Sequence, residues 1–62
     1  MQVQYRNRHW TFDEELFVHQ LLKKLRLIPE DVLVVRNGQL ITEDQRVRPG
    51  DNVRIVAVIS GG

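Results

Sequence analysis

The sequence contains no cysteine. This absence excludes a disulfide framework, a thiolate metal site and a side-chain persulfide, and it is compatible with a reducing cytosol. The sequence also lacks a run of about 20 apolar residues, the length that spans a membrane, and its first residues lack the apolar core of a secretion signal. We therefore expect a soluble cytoplasmic protein with no membrane partner.

Neither sign of charge dominates, because nine Lys and Arg residues stand against eight Asp and Glu residues, for a formal net charge of +1. This balance argues against nucleic-acid binding through bulk electrostatics and against an acidic solvating tail. The length of 62 residues is enough for one domain and leaves no room for a deep catalytic cleft. Partners must therefore be inferred from individual sites, and no direct nucleic-acid partner is expected.

Alternation of apolar and polar residues predicts strands at both ends of the chain. Residues 1–6 alternate strictly, a turn is predicted at 7–9, and the alternation resumes at 10–12, so the first segment is a predicted hairpin. Near the other end, residues 53–59 alternate in the same way and predict the last strand.

A helix from Glu15 to Leu27 is predicted by four apolar residues at helical spacing: Val18, Leu21, Leu22 and Leu25. The acidic residues 13–15 stand near its start, where the helix dipole favours negative charge. Thr11 and Asp13 compete as the N-cap. Pro29 keeps the preceding residue out of helical angles and closes the segment.

The second half of the chain predicts three strands joined by tight turns. The β-branched run at 32–35 suits a central strand, Asn37 and Gly38 favour a two-residue hairpin, and 39–41 returns as a short strand. A further turn is predicted at 49–52. One helix among five strands buries its apolar stripe best in an α+β arrangement, in which a sheet folds over the helix and the first and last strands pair in parallel at its centre.

Gly61 and Gly62 end the sequence directly after the predicted last strand. Glycine lacks a Cβ, so such a tail can enter a narrow channel and present the carboxylate of Gly62 to an activating enzyme. A carboxylate is a poor electrophile, but an acyl-adenylate made with ATP is a good one, and a sulfur nucleophile would convert it to a thiocarboxylate. The alternative interpretation is a frayed or truncated terminus without a chemical role.

Four features resemble, in order and spacing, the ThiS- and MoaD-type sulfur carriers, which are relatives of ubiquitin. They are the segment VHQLLKKL at 18–25, the strand and turn VVRNG at 34–38, the turn PGD at 49–51 with Val53, and the ending VISGG at 58–62. The short chain without inserts is closer to the ThiS type, and Ala57-Val58 stand where MoaD-type carriers often have a proline pair. Phe17 departs from the ThiS pattern, in which a helix-capping Thr is common.

The resemblance implies a β-grasp fold, with a mixed sheet of about five strands folded over one helix. It implies a domain over residues 1–59 and a flexible tail over 60–62. It further implies that a ubiquitin-activating-like enzyme, using ATP and Mg, adenylates Gly62, and that the resulting thiocarboxylate donates sulfur to a synthase. Thiazole synthase of thiamine biosynthesis is the implied acceptor, with tRNA thiolation and molybdopterin synthesis as alternatives. The chain itself would be a carrier without a catalytic residue, bound cofactor or metal.

Two valines of the predicted last strand face away from the core side and predict a docking surface for partner proteins. The predicted docking residues are Val56 and Val58 with Leu33 or Val35, flanked by Arg36 and Arg54 and continuing into Ser60. Gly61 is predicted to let the tail enter the channel of the activating enzyme. The alternative interpretation is a scatter of surface valines, which is normal for a folded protein.

The other residues that could have a chemical role are interpreted as structural. His9 and His19 lack the clustering of a metal site, and residues 13–15 are expected to form an exposed helix start rather than a catalytic carboxylate group. Trp10 and Phe12 are expected to pack in the core or on the hairpin rather than to stack on bases.

Two alternative functions remain open from the sequence. The first is a ubiquitin-like modifier joined to lysines through Gly62. The second is an interaction or RNA-binding module with an inert tail, for which the best support is a basic patch of Arg6, Arg8, Arg46 and Arg48.

Overall fold

The computed structural model of the protein describes residues 1–58. The elements are the strands β1 (Gln2–Tyr5), β2 (Arg8–Thr11), β3 (Leu16–Phe17), β4 (Val32–Arg36), β5 (Gln39–Ile41), β6 (Arg46–Val47) and β7 (Asn52–Ala57), the helix α1 (Val18–Lys24) and a 3₁₀ turn (Pro29–Asp31). A five-stranded sheet has the order β2-β1-β7-β4-β5, and β3 pairs separately with β6. β1 and β7 run parallel beside each other within the sheet, which confirms the predicted α+β, β-grasp arrangement.

One face of the sheet and the apolar stripe of α1 enclose the core. Val18, Leu21 and Leu22 are almost completely buried, as the helical spacing predicted, and Leu25 is half-buried at the helix end. They pack with buried residues of the strands and of the N-terminus: Met1, Val3, Leu16, Val32, Val34, Ile41, Val47, Val53 and Ile55. Burial of this apolar surface is the main term that stabilises the fold.

The helix begins three residues later than predicted, because Leu16 and Phe17 are extended and pair with β6. The N-cap is therefore Phe17, and neither Thr11 nor Asp13 caps the helix. The Phe17 N–H donates to Oε1 of Gln20 at 3.0 Å. The N–H groups of Val18 and His19 donate to backbone carbonyls of the 43–45 loop, at 2.8 and 3.1 Å. Distant backbone thus satisfies the donors that a local side chain was expected to satisfy.

The helix also ends earlier than predicted, at Lys24 rather than Leu27. Arg26 adopts a left-handed conformation with φ 60°, and the Leu27 N–H donates to the Leu22 carbonyl at 2.8 Å. This is a Schellman cap, completed by the hydrogen bond from the Arg26 N–H to the Lys23 carbonyl. Over the described residues, no helix is long and apolar enough to cross a membrane.

The acidic residues 13–15 do not lie at the helix start, and the first turn of α1 contains no acidic residue. They precede β3 instead. Glu15 contacts Nη1 of Arg46 at 3.0 Å and Nε of Arg48 at 3.5 Å, so it pairs with the segment that carries β6. The expectation of an acidic helix start was therefore wrong, because β3 separates these carboxylates from α1.

The tight turns agree with the sequence in part. Asn37 and Gly38 both have positive φ, 51° and 86°, which confirms the predicted two-residue hairpin. The first hairpin turns earlier than predicted, at residues 6–7, because Tyr5 pairs with Arg8. β7 occupies 52–57, one residue ahead of the predicted start. Ile59, and with it the predicted boundary between domain and tail, lies outside the described residues.

Candidate functional site

The strand that leads toward the glycine tail is held on both sides. β7 pairs with β1 along one edge and with β4 along the other. Beyond β7, the Val58 N–H donates to the Asp31 carbonyl at 2.7 Å. We name Val58 the tail root, because it is the last described residue before the tail. The predicted site residues Ser60, Gly61 and Gly62 lie outside the described residues.

An apolar patch lies on part of the sheet face that is turned away from α1. Val56 is 42% exposed on this face, as the alternation predicted, and Val58 is equally exposed. Leu33 is 46% exposed and stands opposite Val56 in the register of β4 with β7. Directly opposed residues of one sheet face have Cβ atoms about 5 Å apart, so these side chains form a continuous surface.

A second cross-strand pair extends this patch. Val35 stands opposite Leu40 of β5, which is 64% exposed. We define the docking face as Leu33, Val35, Leu40, Val56 and Val58. Leu40 was missed from the sequence, although the Asn37-Gly38 hairpin already implies its pairing with Val35. That inference needed the register of the hairpin and not only the alternation of one strand.

The two predicted flanking arginines lie on different sides of the sheet. Arg54 belongs to the same face as Val56, between Gln4 of β1 and Val35 of β4 in register. Arg36 does not, because successive residues of a strand point to opposite faces and Arg36 follows Val35. Its half-buried side chain donates from Nη1 to the Arg46 carbonyl at 2.6 Å. The prediction that Arg36 flanks the patch was therefore wrong.

A groove of about 460 Å³, which we name the β1–β2 groove, adjoins the docking face. Its polar lining includes Gln2, Gln4, His9, Thr11, Asn37, Asn52 and Arg54. The outer face of the sheet thus has an apolar half toward β4 and β5 and a polar half toward β1 and β2. The amide side chains can donate or accept hydrogen bonds, and Arg54 adds a fixed positive charge at the border with the docking face.

Asp51 lies at the end of β7 that is remote from the tail root. The backbone N–H of Arg48 donates to its Oδ2 at 2.9 Å, and this hydrogen bond holds the pKa of the Asp51 carboxyl below its ordinary value of 3.8. Nδ2 of Asn37 donates to Oδ1 at 3.2 Å and acts in the same direction. The carboxylate therefore fastens the 48–51 turn to the Asn37-Gly38 hairpin, which is a structural role.

The four arginines of the RNA-binding alternative do not form one patch. Arg46 and Arg48 pair with Glu15, near the start of β7. Arg6 lies beside Val56 and Ala57, at the opposite end of β7. Two of the arginines are therefore partly neutralised by Glu15, and the length of β7 separates them from the turn that carries Arg6 and Arg8. The four residues do not form the continuous basic surface that the RNA-binding alternative requires.

The histidines have no common site in the described part of the chain. His19 stacks on the Phe17 ring with a centroid distance of 5.2 Å, whereas His9 lines the β1–β2 groove. No group of three His, Asp or Glu side chains within residues 1–58 is arranged to hold a metal ion.

Comparison with known proteins agrees with this geometry. The model of the ThiS family matches residues 2–62. The chain is 38% identical over 45 residues to the sulfur carrier protein TtuB of Thermus thermophilus, which covers 73% of this chain and 69% of the relative. The crystal structure of the thiamine biosynthesis protein ThiS from Geobacter metallireducens matches with a TM-score of 0.70 and 29% identity, over 100% of both chains.

These matches confirm the predicted resemblance and the β-grasp fold. ThiS- and TtuB-type proteins are small carriers, which confirms the expectation of a carrier rather than an enzyme. Membership of such a family implies two kinds of partner, an adenylating enzyme that activates the carrier and an acceptor of its sulfur. The chain belongs to the ThiS family of sulfur carrier proteins.

Proposed function

We propose that the carboxylate of Gly62 is the sulfur-carrying group of this protein. The observation that supports the proposal is the family match, which runs through Gly61 to Gly62. A second support is the position of the tail root at the end of β7, a strand paired on both sides. A well-held strand gives the activating enzyme a fixed surface to bind while it works on the residues beyond.

The chemistry requires activation followed by displacement. An oxygen of the Gly62 carboxylate attacks the α-phosphorus of ATP, and pyrophosphate leaves. Sulfide, or a sulfur donor that delivers its equivalent, then attacks the acyl carbon, a C–S bond forms, and AMP leaves with the former carboxylate oxygen. ATP and Mg belong to the activating enzyme in this proposal, and the chain itself binds no cofactor. Gly61 and Gly62 suit a narrow channel because they lack a Cβ.

The docking face is the proposed contact surface for these partners. Leu33, Val56 and Val58 are exposed apolar side chains that meet across β4 and β7. A patch of this kind next to a reactive tail lets a partner recognise the carrier without a pocket on the carrier. Arg54 borders it, and Ser60 is proposed to join the same contact.

For the sulfur acceptor we propose thiazole synthase of thiamine biosynthesis. Support comes from the ThiS family match and from the similar structure, which is that of a thiamine biosynthesis protein. The test is to offer the purified thiocarboxylate separately to thiazole synthase, to a tRNA thiolase and to molybdopterin synthase. Transfer of sulfur from Gly62 to the thiazole alone is the expected result, and transfer only to tRNA or molybdopterin contradicts this choice of acceptor.

Three tail variants test the role of Gly62. Deletion of Gly62 moves the carboxylate back, an added alanine moves it forward, and Gly61→Val leaves it in place but adds a β-branched side chain. We expect each change to abolish ATP-dependent adenylation, measured as pyrophosphate exchange with the activating enzyme. With the activating enzyme, Mg and ATP present, the wild-type chain should gain about 16 Da when sulfide is added, because sulfur displaces AMP and so replaces one carboxylate oxygen.

The control is the thermal transition of each tail variant. It should coincide with that of the wild type, since the changes leave every core residue of 1–58 unaltered. An alanine-extended protein that reacts as well as wild type without trimming contradicts the proposal. Gly-Gly remnants on lysines of other proteins, with no thiocarboxylate in the intact mass of protein from its own cell, would support the modifier alternative instead.

A further inference from the structure

A small groove lies between the β1–β2 turn and β7, next to the docking face. It is lined by Gln4, Arg6, Arg54, Ile55, Val56 and Ala57 and has a volume of about 200 Å³. We name it the arginine groove. Pockets for small molecules typically have volumes of about 300–1,000 Å³, so the arginine groove is too small for such a ligand and has room for the end of one side chain.

Two guanidinium groups give this groove its charge. The ion pairs formed within residues 1–58 are those of Glu15 with Arg46 and Arg48, so neither Arg6 nor Arg54 pairs with a carboxylate in the described part of the chain. The guanidinium carbon of Arg6 lies 5.4 Å from the centroid of the Tyr5 ring. This cation–π contact steadies the side chain and leaves its N–H groups able to donate.

The backbone at Arg6 is an unusual place for an arginine. Its φ is 55°, in the left-handed region, at the first central position of a two-residue hairpin turn. Glycine is favoured there because a Cβ makes that conformation costly. What distinguishes Arg6 from Arg26, which also has a positive φ, is that the Arg6 side chain lines the arginine groove.

We propose that the arginine groove receives an aspartate or glutamate side chain of the activating enzyme. This inference rests on the proposed function. A guanidinium binds a carboxylate through paired N–H donors, and two of them beside an apolar strip favour an acidic group over a neutral one. The groove borders Val56, two residues before the tail root, so an acid bound there would orient the carrier while the docking face supplies contact area.

The test compares two arginines that share a backbone conformation. Arg6→Gly and Arg26→Gly each remove one charge and one strained φ, but Arg26 lies at the end of α1 and does not line the groove. We expect Arg6→Gly to raise the KM for the carrier in adenylation about tenfold and to leave kcat unchanged, whereas Arg26→Gly changes neither. Neither variant should melt below the wild type, because glycine adopts positive φ without strain.

Charge reversal extends the comparison. Arg6→Glu and Arg54→Glu should raise the KM for the carrier further than Arg6→Gly does. Added salt should reduce the difference in KM between these variants and the wild type, because it screens the charges. An unchanged KM in Arg6→Glu, with the wild type adenylated normally, overturns this inference alone. Wild-type protein that is never adenylated contradicts the proposed function and this inference together.

A nucleic acid is the alternative ligand for the arginine groove, because its phosphates also carry negative charge. A labelled single-stranded oligoribonucleotide is titrated with wild type and Arg6→Glu at the ionic strength of the adenylation assay. Binding by the wild type that Arg6→Glu abolishes, together with an unchanged KM, would assign the groove to phosphate and overturn the proposal. Equal behaviour of the two proteins toward RNA, with a raised KM in the variant, supports it.

Discussion

The two faces of β7 carry similar residues and have opposite environments. Val53 and Ile55 are 3% exposed against α1, whereas Val56 on the other face is 42% exposed. Apolar character alone therefore does not distinguish a residue that stabilises this domain from one that is available to a partner. The difference lies in what covers each face, because the helix packs on one face and nothing in residues 1–58 packs on the other.

The outer face also differs from one half to the other. A solvent-exposed sheet face usually carries polar residues, as it does here over β1 and β2. Toward β4 and β5 it is apolar, with Leu33 and Leu40 exposed in register with Val56 and Val35. An exposed apolar patch on a small domain is costly for solubility, so its position next to the tail root favours a binding role.

The largest expected effect separates neighbouring residues of β7. Ile55→Asp places a carboxylate in the core without a partner, and we expect the cooperative unfolding transition at neutral pH to be lost. Val56→Asp changes an exposed residue and should alter the free energy of unfolding by about 0.5 kcal/mol or less. Thermal unfolding followed by circular dichroism measures both.

The binding readout completes that comparison. Val56→Asp should weaken binding to the activating enzyme although the protein remains folded, since it places a charge in the docking face. A folded Ile55→Asp variant would mean that the core face has been misassigned. Wild-type affinity in Val56→Asp would remove the docking role from this side of the sheet.

A smaller effect is expected when a leucine is shortened. Leu22→Ala removes a side chain that is 1% exposed beneath the sheet and should cost about 2–5 kcal/mol in the free energy of unfolding. Leu40→Ala is the matched control, because Leu40 is 64% exposed and its loss leaves no cavity. Urea unfolding of both variants gives the two values. Similar costs would contradict the assignment of the inner and outer faces.

The smallest effect concerns acid stability. The pKa of Asp51 is lowered in the folded chain, so the unfolded chain binds the proton first as the pH falls. The stabilisation by this carboxylate is therefore complete above its ordinary pKa of 3.8 and is lost as the pH drops through the lowered folded value. Asp51→Asn should weaken the dependence of the melting temperature on pH in that acidic window. If the plots of melting temperature against pH run parallel for the two proteins, Asp51 does not contribute to the acid dependence of stability.

Much of the fold could be predicted from the sequence because its signals are local. The alternation in β1 and β7, the helical spacing of Val18, Leu21 and Leu22, and the Asn37-Gly38 turn each depend on neighbours within a few residues. The outward position of Val56 follows from the same period of two. These patterns, together with the resemblance to sulfur carriers, were sufficient for the architecture and for the apolar part of the candidate site.

Only the tertiary structure decided the features that depend on residues distant in sequence. β3 exists because Leu16 pairs with Val47, some thirty positions away, and that pairing delays the helix and directs Glu15 to Arg46. Two-residue strands carry too short a pattern to be recognised alone.

The tertiary structure also decided the position of the charged residues of the candidate site. The sequence by itself determined which face of each strand is apolar, because side chains alternate along a strand. It did not determine that Arg36 turns to the Arg46 carbonyl or that Arg6 comes beside Arg54. Long charged side chains take their direction from whichever partners the folded chain brings within reach, and those partners come from other strands.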